Sequence, residues 1–265
     1  MNLRGQGGTC NVIKPLGIKG SIILFVIPAA ILYTAHYYFA PALIRHTGEP
    51  YFVAYLIAWF TTMLMFFIAS IIAYLLESHP VKIRMFADRY RLSRMPKQDW
   101  IWILIVLIIQ AGIYFGLGFT AKWLAKISIF APHPVFAPEF GPAGGSAHIP
   151  GELMGMPLLG KWWIVIAYLF GWILNILGEE FWFRGYLLPR QELSFGKFAW
   201  LANGVMFGFN HIWQPWNLLM VVPGALIGAY VVQKRKNTWV LLVPHGILNA
   251  TLLIVIMLNV IGIKV

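Results

Sequence analysis

The sequence predicts an all-α, polytopic transmembrane helical bundle of about seven membrane segments (six to eight), with the N-terminus cytoplasmic. Three observations carry this. First, 60% of the residues are hydrophobic and 11% charged, with a mean hydropathy of +0.74, whereas a soluble domain carries about 25% charged residues. Second, apolar runs at 20–44, 51–76, 101–124, 162–188, 198–213, 218–232 and 238–263 approach or exceed the roughly 20 residues that a helix needs to cross a bilayer. Third, no period-2 alternation is present, which argues against a transmembrane β-barrel.

The elements follow in order. The first run begins after a basic stretch and imitates a signal peptide over Ser21–Ala35. It continues apolar to Ile44, which favours an uncleaved first span. Between the second and third runs, residues 77–99 interleave Ile83, Phe86, Tyr90 and Leu92 with basic residues. That pattern fits an amphipathic helix on an anionic leaflet, and it fits an ordinary solvated connection equally well. Residues 127–160 are rich in Pro and Gly and read as an irregular extracytoplasmic loop. The fifth and sixth runs are short, a tilted pair or a re-entrant hairpin joined at Gln214–Asn217. No internal repeat or linker divides the chain, so 1–265 reads as a single integral membrane domain.

Charge placement sets the orientation. The net charge is +11, and fifteen of the twenty Lys and Arg fall in four segments assigned to one side. These are the N-terminus (Arg4, Lys14, Lys19), residues 77–99 (Lys82, Arg84, Arg89, Arg91, Arg94, Lys97), Arg184 to Lys197, and Lys234–Lys236. The opposite side holds Arg45, Lys122, Lys126, Lys161 and Lys264. The positive-inside rule makes the richer face cytoplasmic, and Trp100, Trp102, Trp123, Trp162, Trp163, Trp213, Trp216 and Trp239 lie near segment ends as an aromatic belt. Basic loops are thus a topology signal, and no nucleic acid is expected as a partner. The single Cys10 excludes an intrachain disulfide and a Cys-based zinc site.

The chemistry lies in charges placed at bilayer depth, which cost several kcal/mol and mark functional sites by default. Glu179, Glu180 and Arg184 fall inside the fourth run, His211 in the fifth, and His245 and Asn249 in the seventh. At 1.5 Å per residue from the nearest basic residue, Glu179 lies about 16 Å deep, His211 about 21 Å, and His245 and Asn249 about 14 and 20 Å. Four groups from three helices therefore share one slab. Each alone has a structural reading: an ion pair, an interhelical hydrogen bond, polar glue. The conjunction at one depth favours a site. Helix rotation sets Glu179 and Glu180 about 100° apart, so the two are expected to face different partners. Glu180 and Arg184 form an i,i+4 pair in the favourable order. Glu179 is left to face the other helices. His245 and Asn249 share a face, and Phe207 sits one turn before His211 as a wall beside the imidazole.

In order, Glu179-Glu180-x-x-x-Arg184, Phe207-x-x-x-His211 and His245-x-x-x-Asn249 resemble the three signature motifs of the CPBP family of intramembrane endopeptidases, the CAAX proteases and bacteriocin-processing enzymes, which includes the type II CAAX prenyl endopeptidases. The resemblance covers roughly residues 160–255, the expected catalytic core. It implies that Glu179 and His211 activate a water, that His245 and Asn249 stabilise the oxyanion, and that Glu180, Arg184 and Phe207 support them. Amide hydrolysis needs such a base and such donors. No Ser or Cys in these helices stands beside a His as a nucleophile. The expected cofactor set is empty, with zinc as the less favoured alternative, since two His and a Glu could ligate it but no His-Glu-x-x-His pair is present. The implied substrate is a membrane-associated peptide or protein, prenylated or not, met in the lipid bilayer of the cell membrane. The competing classes are a catalytically silent immunity or scaffolding protein and a proton-relay transporter. The latter lacks inverted repeats and paired broken helices.

Overall fold

The computed structural model describes residues 13–136, 141–142 and 151–263. Arg4, Cys10, Lys264 and part of the 127–160 loop lie outside them. Eleven α-helices are described: α1 (Ile18–Thr34), α2 (Ala40–Thr47), α3 (Tyr51–Leu76), α4 (Ile83–Arg89), α5 (Lys97–Leu117), α6 (Phe119–Leu124), α7 (Trp162–Glu179), α8 (Leu188–Phe195), α9 (Ala199–Asn210), α10 (Leu218–Arg235) and α11 (Trp239–Val260). Two π-helical stretches continue helices without a break, Ala35–Phe39 after α1 and Glu180–Leu187 after α7. A two-residue antiparallel pair, β1 (Glu152–Leu153) and β2 (Met156–Pro157), closes around Met154 and Gly155, both at positive φ. This hairpin was not anticipated.

Among the described residues six helical spans are long and apolar enough to cross a membrane. The expected fourth and fifth segments merge into one helical run of 49 residues, Trp162–Asn210. A straight helix of that length would far exceed a bilayer core of about 30 Å. The chain instead reverses at Gly196, whose φ of 55° few L side chains adopt. Beyond the reversal, α9 has only 12 residues, about 18 Å, too short to span.

Helix faces are inverted relative to a soluble bundle. Ile22, Ile23 and Val26 of α1 and Ile101, Leu104 and Ile108 of α5 are exposed, whereas Ser21, Asn175, Glu179, Glu180, Arg184, Asn203 and Asn210 are buried. Helix α7 packs between α3 and α11, and α9 against α10. The α9–α10 contact rests on the Gly204-x-x-x-Gly208 face. A Cβ on Gly204 would stand 2.7 Å from the Leu226 backbone and one on Gly208 3.2 Å from that of Val222. Small residues let membrane helices approach this closely.

Apart from Arg184, which is buried beside Glu180 and Phe207, described members of the four basic segments meet at one end of the bundle. Arg91 grips Glu192 with two nitrogens at 2.6 and 2.9 Å, and Lys236 also pairs with Glu192. Arg235 and Asn237 hold Asp99 at 2.6 and 2.7 Å, and Arg190 donates to the Lys14 carbonyl at 3.1 Å. At the opposite end Tyr37 donates to the Trp213 carbonyl and the Gly160 amide to Val260. Two interfacial expectations change. Trp213 and Trp216 are buried, because the 211–217 turn folds inward and Trp213 stacks on His36 at 4.1 Å. In α4 and the residues that follow it, only Ile83 of the four apolar residues is exposed; Tyr90 is fully buried and Phe86 packs on Phe181. The apolar side of this segment therefore meets the protein.

Candidate active site

The backbone around the first motif is not an ordinary α-helix. From Glu180 to Leu187 it widens into a π-helix, whose i→i+5 pairing leaves the α-type partners of its carbonyls displaced. Part of the cause lies in the sequence. The fourth residue after Gly185 is Pro189, which has no N–H to give its carbonyl. Side chains add donors: Arg89 Nη1 donates to Gly185 O at 2.9 Å, and Asn203 Nδ2 joins the Leu188 N–H on Phe183 O at 2.9 Å. A second proline repeats the pattern. Pro28 in α1 leaves the Leu24 carbonyl without its donor, and Trp182 Nε1 supplies one at 3.3 Å.

Both carboxylates of the motif reach the same imidazole. His245 Nδ1 lies 2.9 Å from Glu180 Oε1, and Nε2 lies 3.8 Å from Glu179 Oε2. The expected divergence of Glu179 and Glu180 is thus overturned. The helix widens where they sit, and His245 offers a nitrogen on each edge of its ring. Since the carboxylate accepts, Nδ1 carries the proton of the shorter contact. The Glu180–Arg184 couple is looser than expected, with a closest approach of 3.7 Å. The Arg184 guanidinium instead lies over the Phe207 ring, 3.6 Å from its centroid, a cation–π contact that gains strength when desolvated. Glu179, Glu180 and Arg184 are all buried.

His211 sits just past the end of α9. Its Nδ1 is 3.2 Å from the Phe207 carbonyl, which can only accept, so Nδ1 donates and the neutral ring keeps its lone pair on Nε2. It is near enough to feel the charges of Glu179, His245 and Arg184. Phe207 flanks it edge-on, with ring centroids 5.0 Å apart. Asn249 stands apart from this cluster: its Nδ2 donates to the His245 carbonyl at 3.0 Å and its side chain is exposed. The structure therefore gathers Glu179, Glu180, Arg184, Phe207, His211 and His245. It leaves Asn249 one turn along α11 from His245, at the edge.

Several supporting residues escaped the sequence reading. Trp172 Nε1 donates to Gly246 O at 3.1 Å and docks α7 on α11 beside His245. Asn203 bridges Phe183 O and Gln191, and Gln191 reaches Ser21 of α1. Asn210 is fully buried with neither amide atom bonded among the described residues. Asn203 and Asn210 lie in the run 198–213, and the criterion that selected His211 would have found them. Among the described residues no group of three or more His, Cys, Asp and Glu is arranged to hold a metal ion.

No curated protein and no solved structure matches the chain. Residues 161–251 do match the family model described as type II CAAX prenyl endopeptidase Rce1-like. That segment is therefore similar to the Rce1-like CAAX protease family, a family of peptidases, and it lies within an integral, multi-pass membrane protein.

Proposed function

We propose that the protein is a metal-independent, glutamic-type intramembrane endopeptidase of the cell membrane, its basic end in the cytoplasm. Its substrate is a membrane-associated peptide, of the prenylated CAAX type where the host prenylates its proteins. The observation that carries this reading is the His245 ring held between two buried carboxylates, at 2.9 Å from Glu180 and 3.8 Å from Glu179.

The chemistry follows from that ring. The 3.8 Å gap is too long for a direct hydrogen bond. A water bonded to both Glu179 and His245 closes a triangle across it. Glu179 takes a proton from that water, and the hydroxide oxygen attacks the scissile carbonyl carbon. Negative charge moves to the carbonyl oxygen, where preorganised donors act most strongly in a dry site. His245 donates through Nε2–H while Glu180 holds Nδ1–H. Asn249 spends one amide hydrogen on His245 O and keeps its second for the oxyanion. The C–N bond then breaks, and the proton returns to the leaving amine through Glu179 and the Nε2 lone pair of His211. Arg184 balances one of the two carboxylate charges, and a doubly protonated His245 balances the other.

The reading is tested by cleavage of a membrane-associated peptide by the purified full chain in detergent, with Glu179→Ala and His245→Ala beside the wild type. Loss of cleavage in both supports it; wild-type rates in both overturn the site. Inactivation by a chelator that added zinc reverses would replace the metal-free mechanism with a zinc-dependent one.

A further inference from the structure

Glu77 and Arg89 belong to none of the three motifs and lie at the basic end of the bundle, yet Arg89 is almost wholly buried against the helix that carries the carboxylates. Its Nε and Nη2 bind the two Glu77 carboxylate oxygens at 2.5 and 2.8 Å, and its Nη1 donates to Gly185 O at 2.9 Å. The guanidinium also lies 5.1 Å from the Tyr186 ring centroid and 5.7 Å from that of Tyr90. A planar fork that uses one edge on a carboxylate keeps its remaining donor in a fixed direction. That donor meets the carbonyl that Pro189 deprives of its ordinary helical partner.

We infer that Arg89, aimed by Glu77, is a positioning residue that holds the π-helical turn open and thereby keeps Glu179 and Glu180 on His245. The inference rests on the proposed peptidase reading for its effect on turnover, but not for its effect on the backbone. A π-turn is a strained register that relaxes toward α unless its displaced carbonyls are engaged. Arg89 engages Gly185 and Asn203 engages Phe183, one at each side of Arg184. Losing the Arg89 donor lets the turn tighten, rotating Glu180 away from the His245 Nδ1. Lysine cannot serve in its place, because one ammonium on a flexible stem does not bind a carboxylate in two places and still point a donor at the carbonyl.

The sequence also supplies an opposing variant. Pro189→Ala returns an N–H to the position from which the Gly185 carbonyl is served in an α-helix, and so favours the α register that Arg89 opposes. The experiment uses full-length protein in detergent with four variants: Arg89→Ala, Arg89→Lys, Glu77→Gln, and Arg89→Ala combined with Pro189→Ala. Two readouts are taken, amide hydrogen exchange over residues 180–188 and kcat and KM for a cleaved membrane-associated peptide. The expected result is faster exchange in Arg89→Ala and Arg89→Lys, with kcat down tenfold or more and KM within threefold. Glu77→Gln gives a smaller change in the same direction, and the double variant regains exchange protection in the α register without regaining kcat. Unchanged exchange in Arg89→Ala, or a wild-type kcat in the double variant, overturns the inference. If Arg89→Ala does not fold, Glu77→Gln and Arg89→Lys decide it by the same two readouts. Altered exchange with no peptide cleavage by the wild type would leave the clamp standing and sink the peptidase reading instead.

Discussion

Glu180→Gln separates charge from geometry at the centre of the site. Glutamine keeps an oxygen where Glu180 Oε1 accepts from His245 Nδ1 at 2.9 Å, and its volume is the same. What disappears is the charge. A hydrogen bond to an ionised partner contributes about 1.5–3 kcal/mol and a neutral one about 0.5–1.5 kcal/mol, so the substitution removes about 1–2 kcal/mol from the hold on the ring. If His245 must be held in this orientation as charge develops, that loss falls on the transition state. It corresponds to about a 5- to 30-fold reduction in kcat, with KM little changed. Glu180→Ala is a different perturbation. It strips both Nδ1 and the buried Arg184 guanidinium of their nearest anion, and breaking a buried pair costs about 3–5 kcal/mol, enough to compromise folding. The assay is steady-state peptide cleavage in detergent, with thermal unfolding of each variant recorded alongside. A Gln variant that folds normally and cleaves at the wild-type rate would refute a catalytic purpose for the Glu180–His245 bond.

Three further outcomes are expected. Gly185→Ala drives a Cβ into the Tyr90 ring, whose Cγ stands 3.2 Å from that position; Tyr90 is fixed by its hydroxyl on Ser70 O and by Thr238 on its carbonyl. Overpacking of this kind costs about 1–3 kcal/mol, and an unchanged thermal midpoint would contradict it. Trp182→Phe removes the donor to the Leu24 carbonyl that Pro28 leaves unserved, costing about 0.5–1.5 kcal/mol. Adding Pro28→Ala should recover it, and thermal unfolding of the pair decides. Burial pushes the Glu77 carboxyl up, but the hydrogen bonds and charge of Arg89, with a further contribution from His79, outweigh it and hold the group below its ordinary value of 4.5. A carboxylate lowered in the folded state stabilises fully above the unfolded value, and that contribution is lost as pH falls through the folded one. The wild-type thermal midpoint should therefore fall toward that of Glu77→Gln below about pH 4.5. A constant difference across the acid range would show that Glu77 contributes no pH-linked stability.

Much of this was legible in the sequence because the membrane makes polar residues conspicuous. Glu179, Glu180, Arg184, His211 and His245 stand out in apolar runs, and their shared depth follows from helical rise alone. The resemblance drawn from their spacing agrees with the family match over residues 161–251. Helix periodicity failed at Glu180 for a physical reason. A π-turn leaves no pattern of its own in side-chain hydrophobicity, and it depends on Arg89, some ninety residues away, and on Asn203. Pro189 was visible, but its consequence appears only once Gly185 O and Arg89 are seen together. The fifth run reads as short in the sequence and α9 has only 12 residues, but its continuity with the fourth in one helical run appears only in the structure. Trp213 and Trp216 carry the composition of a membrane belt, and only tertiary packing shows them inside. The side chain of Asn249 depends on a rotamer, about which spacing says nothing.

The central claim is that Glu179 activates the attacking water. Single-turnover cleavage of a membrane-associated peptide by full-length protein in proteoliposomes, comparing wild type with Glu179→Gln, tests it most directly. A general base contributes about 10²–10⁴-fold, so the account predicts a loss of about 100-fold or more in the chemical step, with folding and peptide binding retained. Cleavage by Glu179→Gln at the wild-type single-turnover rate would contradict it.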